Sequence, residues 1–306
     1  MPTTPSIEVA QNREGSLRML AAQARLYADV KQDQGRRLLM MTLLGVAVSA
    51  LTLANTEDDP VGFVGGVVLL FVNSALMYRE RRRTDLAITI QETFDCSVFG
   101  LEWNDVLVRQ RPPGQQIAQA ASRYFGSRIH DWYPKTGKVR RPLDILICQQ
   151  SNVGWGAPVH RAWAWTVVVT ATVVSAIVAV VWWAADLSVW GGFDALVAPF
   201  LPLAWEAFEM VRHNFESARE KEETQGKILD DWAGVLAGRK VMDEDRCRAY
   251  QDEIFGIRRR NARVPDWFDK RLRARNERAM RTTAEDMIAE AERAGFAQGD
   301  EHDADR

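Results

Sequence analysis

The chain has 306 residues, 47% of them hydrophobic, and 39 lysines and arginines against 41 acids give a net charge of −2. This near-neutral balance gives no reason to expect a nucleic-acid polymer as partner, and average hydropathy means little when apolar residues sit in blocks between charged flanks. Cys96, Cys148 and Cys247 form no CxxC pair, and His130, His160, His213 and His302 are scattered, so the cysteines read as reduced thiols and no metal site is expected.

Residues 1–37 read as a cytoplasmic N-terminal helix. From residue 8 onward Leu17, Leu20, Ala24, Tyr27 and Val30 share one helical face while Arg13, Arg18 and Arg25 lie elsewhere. That face suits another helix better than a bilayer surface, and the helix should run on into the first span. No signal peptide is expected, because the first apolar run begins only at Leu38, after this charged stretch.

Residues 38–78 form the first transmembrane hairpin. Leu38 to Ala54 and Val61 to Tyr78 are uncharged runs of 17 and 18 residues, at the short end of what crosses a bilayer, joined by the link Asn55 to Pro60. A soluble buried hairpin is disfavoured by two such runs this close together.

Residues 79–161 read as a helical cytoplasmic insert, a small domain between the membrane hairpins, with 13 basic and 8 acidic residues. Leu86 to Leu101 should continue the second span as helix, Arg111-Pro112-Pro113-Gly114 should break the chain, Gln115 to Phe125 should be helical, and Pro134 to Pro142 should be a basic turn.

The second hairpin occupies 162–211. Ala162 to Ala185 is the strongest span, 24 uncharged residues with Trp163 and Trp165 at one end and Trp182 and Trp183 at the other. Trp165 and Trp182 would lie about 25 Å apart along a helix, matching two aromatic belts. The fourth segment, Trp190 to about Val211, is weaker: it holds Asp194, Pro199, Pro202, Glu206 and Glu209, and should kink at its prolines, a re-entrant segment being the other reading. The three acids are expected at the two interfaces, where water reaches them, in preference to a conduction path.

Orientation follows from basic flanks. Arg36, Arg37, Arg79, Arg81, Arg82, Arg83, Arg161 and Arg212 all flank the same ends of the spans, whereas Asn55 to Pro60 and Asp186 to Val189 carry acids and no base. Both termini are therefore expected in the cytoplasm of a multi-pass inner-membrane protein.

Residues 212–294 read as cytoplasmic C-terminal helices. Helical spacing runs from Glu206 to Leu236, Gly238 should end that helix, Asp243 should cap another through Arg260, and Pro265 suits the first turn of a last helix reaching about Ala294. The tail, 295–306, is acidic and polar and reads as disordered. The fold class is all-α integral membrane protein, with four transmembrane helices in two hairpins and helical cytoplasmic segments.

No Gly-rich phosphate loop, GxSxG elbow, HExxH pair or carboxylate cluster of nucleotide chemistry is present, so the chain is not expected to be an enzyme or to carry a cofactor. A phosphorylated ligand would find guanidinium forks at Arg246, Arg248, Arg258, Arg259, Arg260 and Arg263 and stacking faces at Trp132, Tyr133, Trp155 and Trp267. The competing use of these arginines is pairing with lipid headgroups or with acids such as Asp252 and Glu253.

Several strings together resemble the SMODS-associated four-transmembrane effector family of bacterial cyclic-oligonucleotide anti-phage (CBASS) systems. They are Gln11-Asn12, Leu20-Ala21-Ala22-Gln23 and Leu26-Tyr27-Ala28 near the start; Ile90-Gln91-Glu92-Thr93-Phe94-Asp95 and Trp103-Asn104; Trp132-Tyr133-Pro134; Cys148-Gln149-Gln150-Ser151-Asn152; and Gln251-Asp252-Glu253-Ile254-Phe255 with Arg258. The likeness covers nearly the whole chain. It departs at Gly156-Ala157-Pro158-Val159-His160, where an acid and a basic helical continuation are expected.

The resemblance implies a membrane effector, silent until a cyclic di- or trinucleotide from a partner nucleotidyltransferase binds its cytoplasmic part, and then active in breaching the inner membrane and stopping the infected cell. Oligomerisation is the natural amplifier, since several copies sharing ligands more readily supply the differential binding that moves a two-state equilibrium. The candidate ligand contacts are Gln91, Glu92, Asp95, Trp132, Tyr133, Arg246, Gln251 and Arg258. Gln91, Glu92 and Asp95 equally suit a structural hydrogen-bond network beneath the second span, with Arg258 pairing an acid there. An autonomous channel or small transporter, and a membrane scaffold, are the rival functions.

Overall fold

The computed structural model describes residues 5–54, 60–108, 110–154 and 156–297. Among them the chain forms helices α1 (Ile7–Gln11), α2 (Glu14–Ala54), α3 (Val61–Phe99), α4 (Asp105–Val108), α5 (Gly114–Ala121), α6 (Leu143–Gly154), α7 (Ala157–Ala184), α8 (Val189–Gly192), α9 (Leu201–Leu236), α10 (Glu244–Arg260) and α11 (Asp266–Arg293). No strand occurs among the described residues; Val139 and Ala297 form one isolated bridge. Most of the link Asn55 to Pro60, Trp155 and the tail beyond Ala297 lie outside the described residues.

Three helical stretches, within α2, α3 and α7, are long and apolar enough to cross a membrane. Their outward side chains are bare: Leu43 is 62% exposed, Phe71 71% and Val180 62%. Apolar surface this continuous needs hydrocarbon around it, so the protein is an all-α, multi-pass membrane protein. A span takes about 20 residues, whereas α2 has 41 and α3 has 39. The surplus, the N-terminal half of α2 and the C-terminal half of α3, projects from one end of the bundle and carries the rest of the chain as an extramembrane body.

The fourth segment is not one helix. After α8 the backbone makes a π-helical turn over Phe193–Val197 and a 3₁₀ turn over Ala198–Phe200 before α9 begins. Pro199 lies in the 3₁₀ turn and Pro202 in the first turn of α9, where the missing donors cost no helical hydrogen bond. This broken run lies along the first hairpin. The Asp194 carboxylate accepts from the backbone N–H of Gly62 (3.2 Å) and Phe63 (2.7 Å), capping α3, and the Ser49 hydroxyl donates to the Ala195 carbonyl. A Cβ on Gly62 would lie 1.9 Å from the Asp194 carbonyl oxygen, and one on Gly66 2.1 Å from that of Ala198, so glycine alone permits the approach. At the other end Glu206 reaches Arg37 and Asn73. Asp194 to Glu206 thus covers the depth that Gly62 to Asn73 covers in α3.

The body has one main core. Ile7 and Leu20, Phe94 and Phe99, Tyr133, Ile145 to Cys148, Ile228 and Trp232, and Cys247, Ile254 and Met287 share a single buried cluster. Residues of 79–161 therefore share this core with the N-terminal helices and with α9, α10 and α11. Their most buried element, α6, carries no periodic signal of its own: Leu143 to Ser151 is buried all round, and a helix buried on every side shows no amphipathic period. Helix α5 stops at Ala121, short of Phe125. The buried face of α2 runs through Ser16, Leu20, Gln23, Leu26 and Val30, leaving Leu17 and Ala24 half-buried. Helix α3 ends at Phe99, short of the expected Leu101, because Gly100 takes the left-handed conformation (φ 73°); elsewhere local signals act as expected, the Asp243 carboxylate accepting from Arg246 N at 2.8 Å to cap α10 and α11 starting directly after Pro265.

Candidate functional site

Helix α3 carries Gln91, Glu92 and Asp95 about three turns beyond its span, on the face turned into the body, where α10 lies across it. Glu92 and Asp95 are both fully buried. Two carboxylates in an apolar core are tolerable only with matching positive charge and hydrogen bonds, and α10 supplies both. Gln251 Nε2 donates to Glu92 Oε2 (2.8 Å) and to Asp95 Oδ2 (3.0 Å). Arg258 Nη1 donates to Asp95 Oδ2 at 2.5 Å and stands 3.8 Å from Glu92. Arg248 Nη2 joins Glu92 Oε1 and Asp252 Oδ1, both at 2.7 Å, while its Nη1 reaches Cys96 Sγ and the Glu102 carbonyl, each at 3.0 Å.

Two tyrosines and α6 close the cluster. The Tyr133 hydroxyl donates to Asp95 Oδ1 (2.6 Å) and accepts from Asn152 Nδ2 (3.0 Å). Gln11 holds the Tyr133 backbone on both sides, accepting from its N–H at 2.7 Å and donating to its carbonyl at 3.3 Å. Tyr27 donates to Gln91 Oε1 at 3.2 Å, and Gln149 Nε2 donates to the Cys247 carbonyl at 2.7 Å. Burial, then Asp95, raises the Glu92 carboxyl above its usual range, opposed by Arg258, Arg248 and Gln251. Burial pushes the Tyr27 phenol up to about 12 and drives that of Tyr133 well above its ordinary value. The tyrosines therefore remain donors at neutral pH.

This junction gathers six of the eight residues singled out from sequence: Gln91, Glu92, Asp95, Tyr133, Gln251 and Arg258. They are tied to one another, as a structural network beneath the second span would be. Hydrogen-bonding capacity is left over: among the described residues Arg258 Nη2 and Arg248 Nε are buried without a partner, as are Gln149 Oε1 and Gln150 Oε1. A buried unpaired donor costs about 1–3 kcal/mol, so an acceptor brought to Arg258 would gain accordingly.

The other two residues lie apart. Trp132 is 39% exposed beside Tyr133. Arg246 belongs to a separate cluster on Asp231, which accepts from Arg246 Nε (2.7 Å), Lys240 Nζ (2.6 Å) and the Tyr250 hydroxyl (2.6 Å). Burial would raise the Asp231 carboxyl, but Lys240, Tyr250 and Arg246 outweigh it and hold it at about 2. Of the remaining arginines, Arg260 pairs with Glu220 (2.9 Å) and Arg259 lies over the Phe255 ring (6.0 Å).

Sequence reasoning missed a second polar cluster at the body end of the membrane bundle. Arg37, read only as an orientation signal, is buried and donates from Nε to Glu80 Oε1 (2.7 Å), from Nη1 to Asn73 Oδ1 (2.5 Å) and from Nη2 to Glu206 Oε1 (2.5 Å). Asn73 Nδ2 donates to Glu206 Oε2 at 3.3 Å. Arg263, in the link between α10 and α11, donates to Glu80 Oε2 and Thr84 Oγ1, both at 2.8 Å. The clamp binds α2, α3, the broken fourth segment and the C-terminal helices at one point, with two positive and two negative charges. Asp194 and Glu206, expected at the interfaces where water reaches them, are instead buried at 3% and 6% exposure, because an acid inside an apolar segment takes a protein partner in place of water.

The two clusters are linked twice: α3 runs unbroken from Glu80 to Asp95, roughly 22 Å at 1.5 Å per residue, and α10 runs from Gln251 and Arg258 to the link that holds Arg263. The SMODS-associating 4TM effector domain family matches this chain over residues 5–287. A probable CBASS effector molecule of Bacillus cereus (strain VD146) is 21% identical over 267 residues, covering 84% of this chain and 90% of that protein. No solved structure matches the chain.

Proposed function

This chain belongs to the SMODS-associating 4TM effector family, and we propose that it is a CBASS anti-phage effector that a cyclic di- or trinucleotide, made by a partner nucleotidyltransferase, switches from a closed to a membrane-breaching state. In this reading it is a multi-pass protein of the bacterial inner membrane with both termini and the body in the cytoplasm. The arginines flanking the body ends of the spans support that orientation. It acts as an effector and not as an enzyme.

The observation that carries the reading is the buried charge junction, in which Arg248 and Arg258 on α10 meet Glu92 and Asp95 on α3, Arg248 also pairing with Asp252, and Arg258 Nη2 has no acceptor among the described residues. A nucleotide phosphate is a strong bidentate acceptor for a guanidinium. Drawing Arg258 from Asp95 onto phosphate would shift α10 against α3 and pull the Arg263 link off Glu80, loosening the clamp that holds the broken fourth segment. Moving the population from 1:99 to 99:1 takes about 5.5 kcal/mol of differential binding. Several copies assembling around shared ligands would supply it more readily than one.

The test is a panel of cyclic di- and trinucleotides and their linear counterparts against the purified protein, read as a shift in melting temperature. A ligand at 100 times its dissociation constant stabilises by about 2.7 kcal/mol. One cyclic nucleotide should stabilise the protein and its linear form should not. Stabilisation by none of them refutes the ligand.

A further inference from the structure

Helix α11 has an exposed basic face that neither the junction nor the clamp uses. Three contacts fix where it starts. Trp267 and Phe268 pack on Trp163, at the body end of the α7 span, with ring centroids 5.8 and 5.0 Å away. Asp266 accepts from Lys31 at 2.6 Å, and Arg263 just before it reaches Glu80 at 2.8 Å. The first turn of α11 is thus level with the ends of three membrane helices. From there the helix leads away, and its far end is held in the body core, where Glu290 accepts from Trp232 Nε1 (2.8 Å) and the Phe296 carbonyl from Arg140 N (2.8 Å).

Charge is graded along the outward face. Lys270, Arg271, Arg275, Arg278 and Arg281 are exposed, and none has a carboxylate partner among the described residues; the half-buried Glu277 interrupts the series beyond Arg275, and Glu285 and Asp286 follow, farther from the bundle. Arg271 lies over the ring of Trp267, 5.2 Å from its centroid, and that tryptophan is 53% exposed. The bases flanking the second hairpin differ: Arg161 is neutralised by Glu222 (2.6 Å) and Arg212 by Glu209 (2.7 Å) and Glu216 (3.0 Å).

We propose that the first turns of α11, through Trp267, Lys270, Arg271 and Arg275, dock on the anionic phospholipid headgroups of the adjoining leaflet. At 1.5 Å per residue Lys270 and Arg271 lie within roughly 6 Å of the level of Trp267 and Arg275 within roughly 12 Å, while Arg278 and Arg281 stand roughly 16 and 21 Å away. An Arg side chain over a half-exposed Trp at this depth matches the pairing of an aromatic anchor with a headgroup contact. The surface does not depend on any nucleotide, so it stands or falls separately from the function proposed above.

The full chain in nanodiscs of phosphatidylcholine, alone or mixed with phosphatidylglycerol, tests this by amide hydrogen exchange. Exchange over 269–276 should slow at least about fivefold in the anionic membrane, the effect of one base near a charged surface, and high salt should reverse it. The triple variant Lys270→Gln, Arg271→Gln and Arg275→Gln should lose the effect while exchange in α10 stays as in the parent. Arg278→Gln with Arg281→Gln should keep it. If the triple variant fails to fold, Arg271→Gln alone should lose about fivefold. Equal exchange in the two membranes overturns the proposal, and so does loss of the effect in the Arg278 and Arg281 pair, which would place the anionic contact along the whole face and not at the first turns.

Discussion

Replacing Arg37 by Gln unbalances the clamp in a way that can be counted. Arg37 and Arg263 face Glu80 and Glu206 in the parent, so the group is neutral. Without Arg37, Arg263 still neutralises Glu80, but Glu206 keeps only Asn73 at 3.3 Å. Removing one partner of a buried pair costs about 3–5 kcal/mol, so Arg37→Gln should lose that much in SDS-induced unfolding from mild detergent micelles, followed by circular dichroism. Glu206→Gln, which leaves a positive charge, should cost a similar amount. The double variant is neutral again, because Arg263 and Glu80 remain paired, and should cost less than either single change. Single changes costing under about 1 kcal/mol, the range of exposed pairs, or a double variant costing the sum of the two, would refute the clamp as a coupled buried unit.

The other predictions concern packing, titration and the outlying arginine. Gly66→Ala should undock the fourth segment and cost about 1–3 kcal/mol in the same unfolding assay, because its Cβ meets the Ala198 carbonyl oxygen, whereas Gly226→Ala on open α9 surface should gain about 1 kcal/mol. Burial and Arg258 lower the Lys221 amine from 10.5 to about 8; the unfolded chain then binds the extra proton between these values, so melting temperature should rise from pH 8 toward 10.5, and Lys221→Met should remove that rise. Arg246→Gln should leave nucleotide binding unchanged while weakening the Asp231 cluster. Asp231 is held at about 2, so its stability contribution is present above the unfolded 3.8 and fades as pH falls through about 2; the variant should show a smaller loss in acid melting.

Much of the architecture was legible because its causes are local. Uncharged runs marked the three apolar stretches of α2, α3 and α7, Asp243 and Pro265 marked the starts of α10 and α11, and Gly238 marked the end of α9, whereas Gly100 stops α3 short of the expected Leu101. Helix α6 was not legible, since a helix buried on all sides has no polar face to set its period. Pro199 and Pro202 announced a break, but the π-helical turn follows from fitting Asp194 and Ala198 against Gly62 and Gly66, which is tertiary information. The junction was half legible: Gln91, Glu92, Asp95, Gln251 and Arg258 stood in the strings that resemble the family, and Gln251 and Arg258, seven residues apart, share one face of α10. That Tyr133 would bring its hydroxyl to Asp95 depends on a loop path that no local rule gives. Arg37 misled because its position beside an apolar run already had an explanation in membrane orientation, and the partner that buries it, Glu206, lies 169 residues away.

Dye-loaded liposomes carrying the purified protein test the central claim most directly. Addition of one cyclic di- or trinucleotide should release the dye, its linear form should not, and Arg258→Gln should need far more ligand for the same release. Release before any nucleotide is added, or none from a nucleotide shown to bind, would contradict a ligand-gated membrane effector.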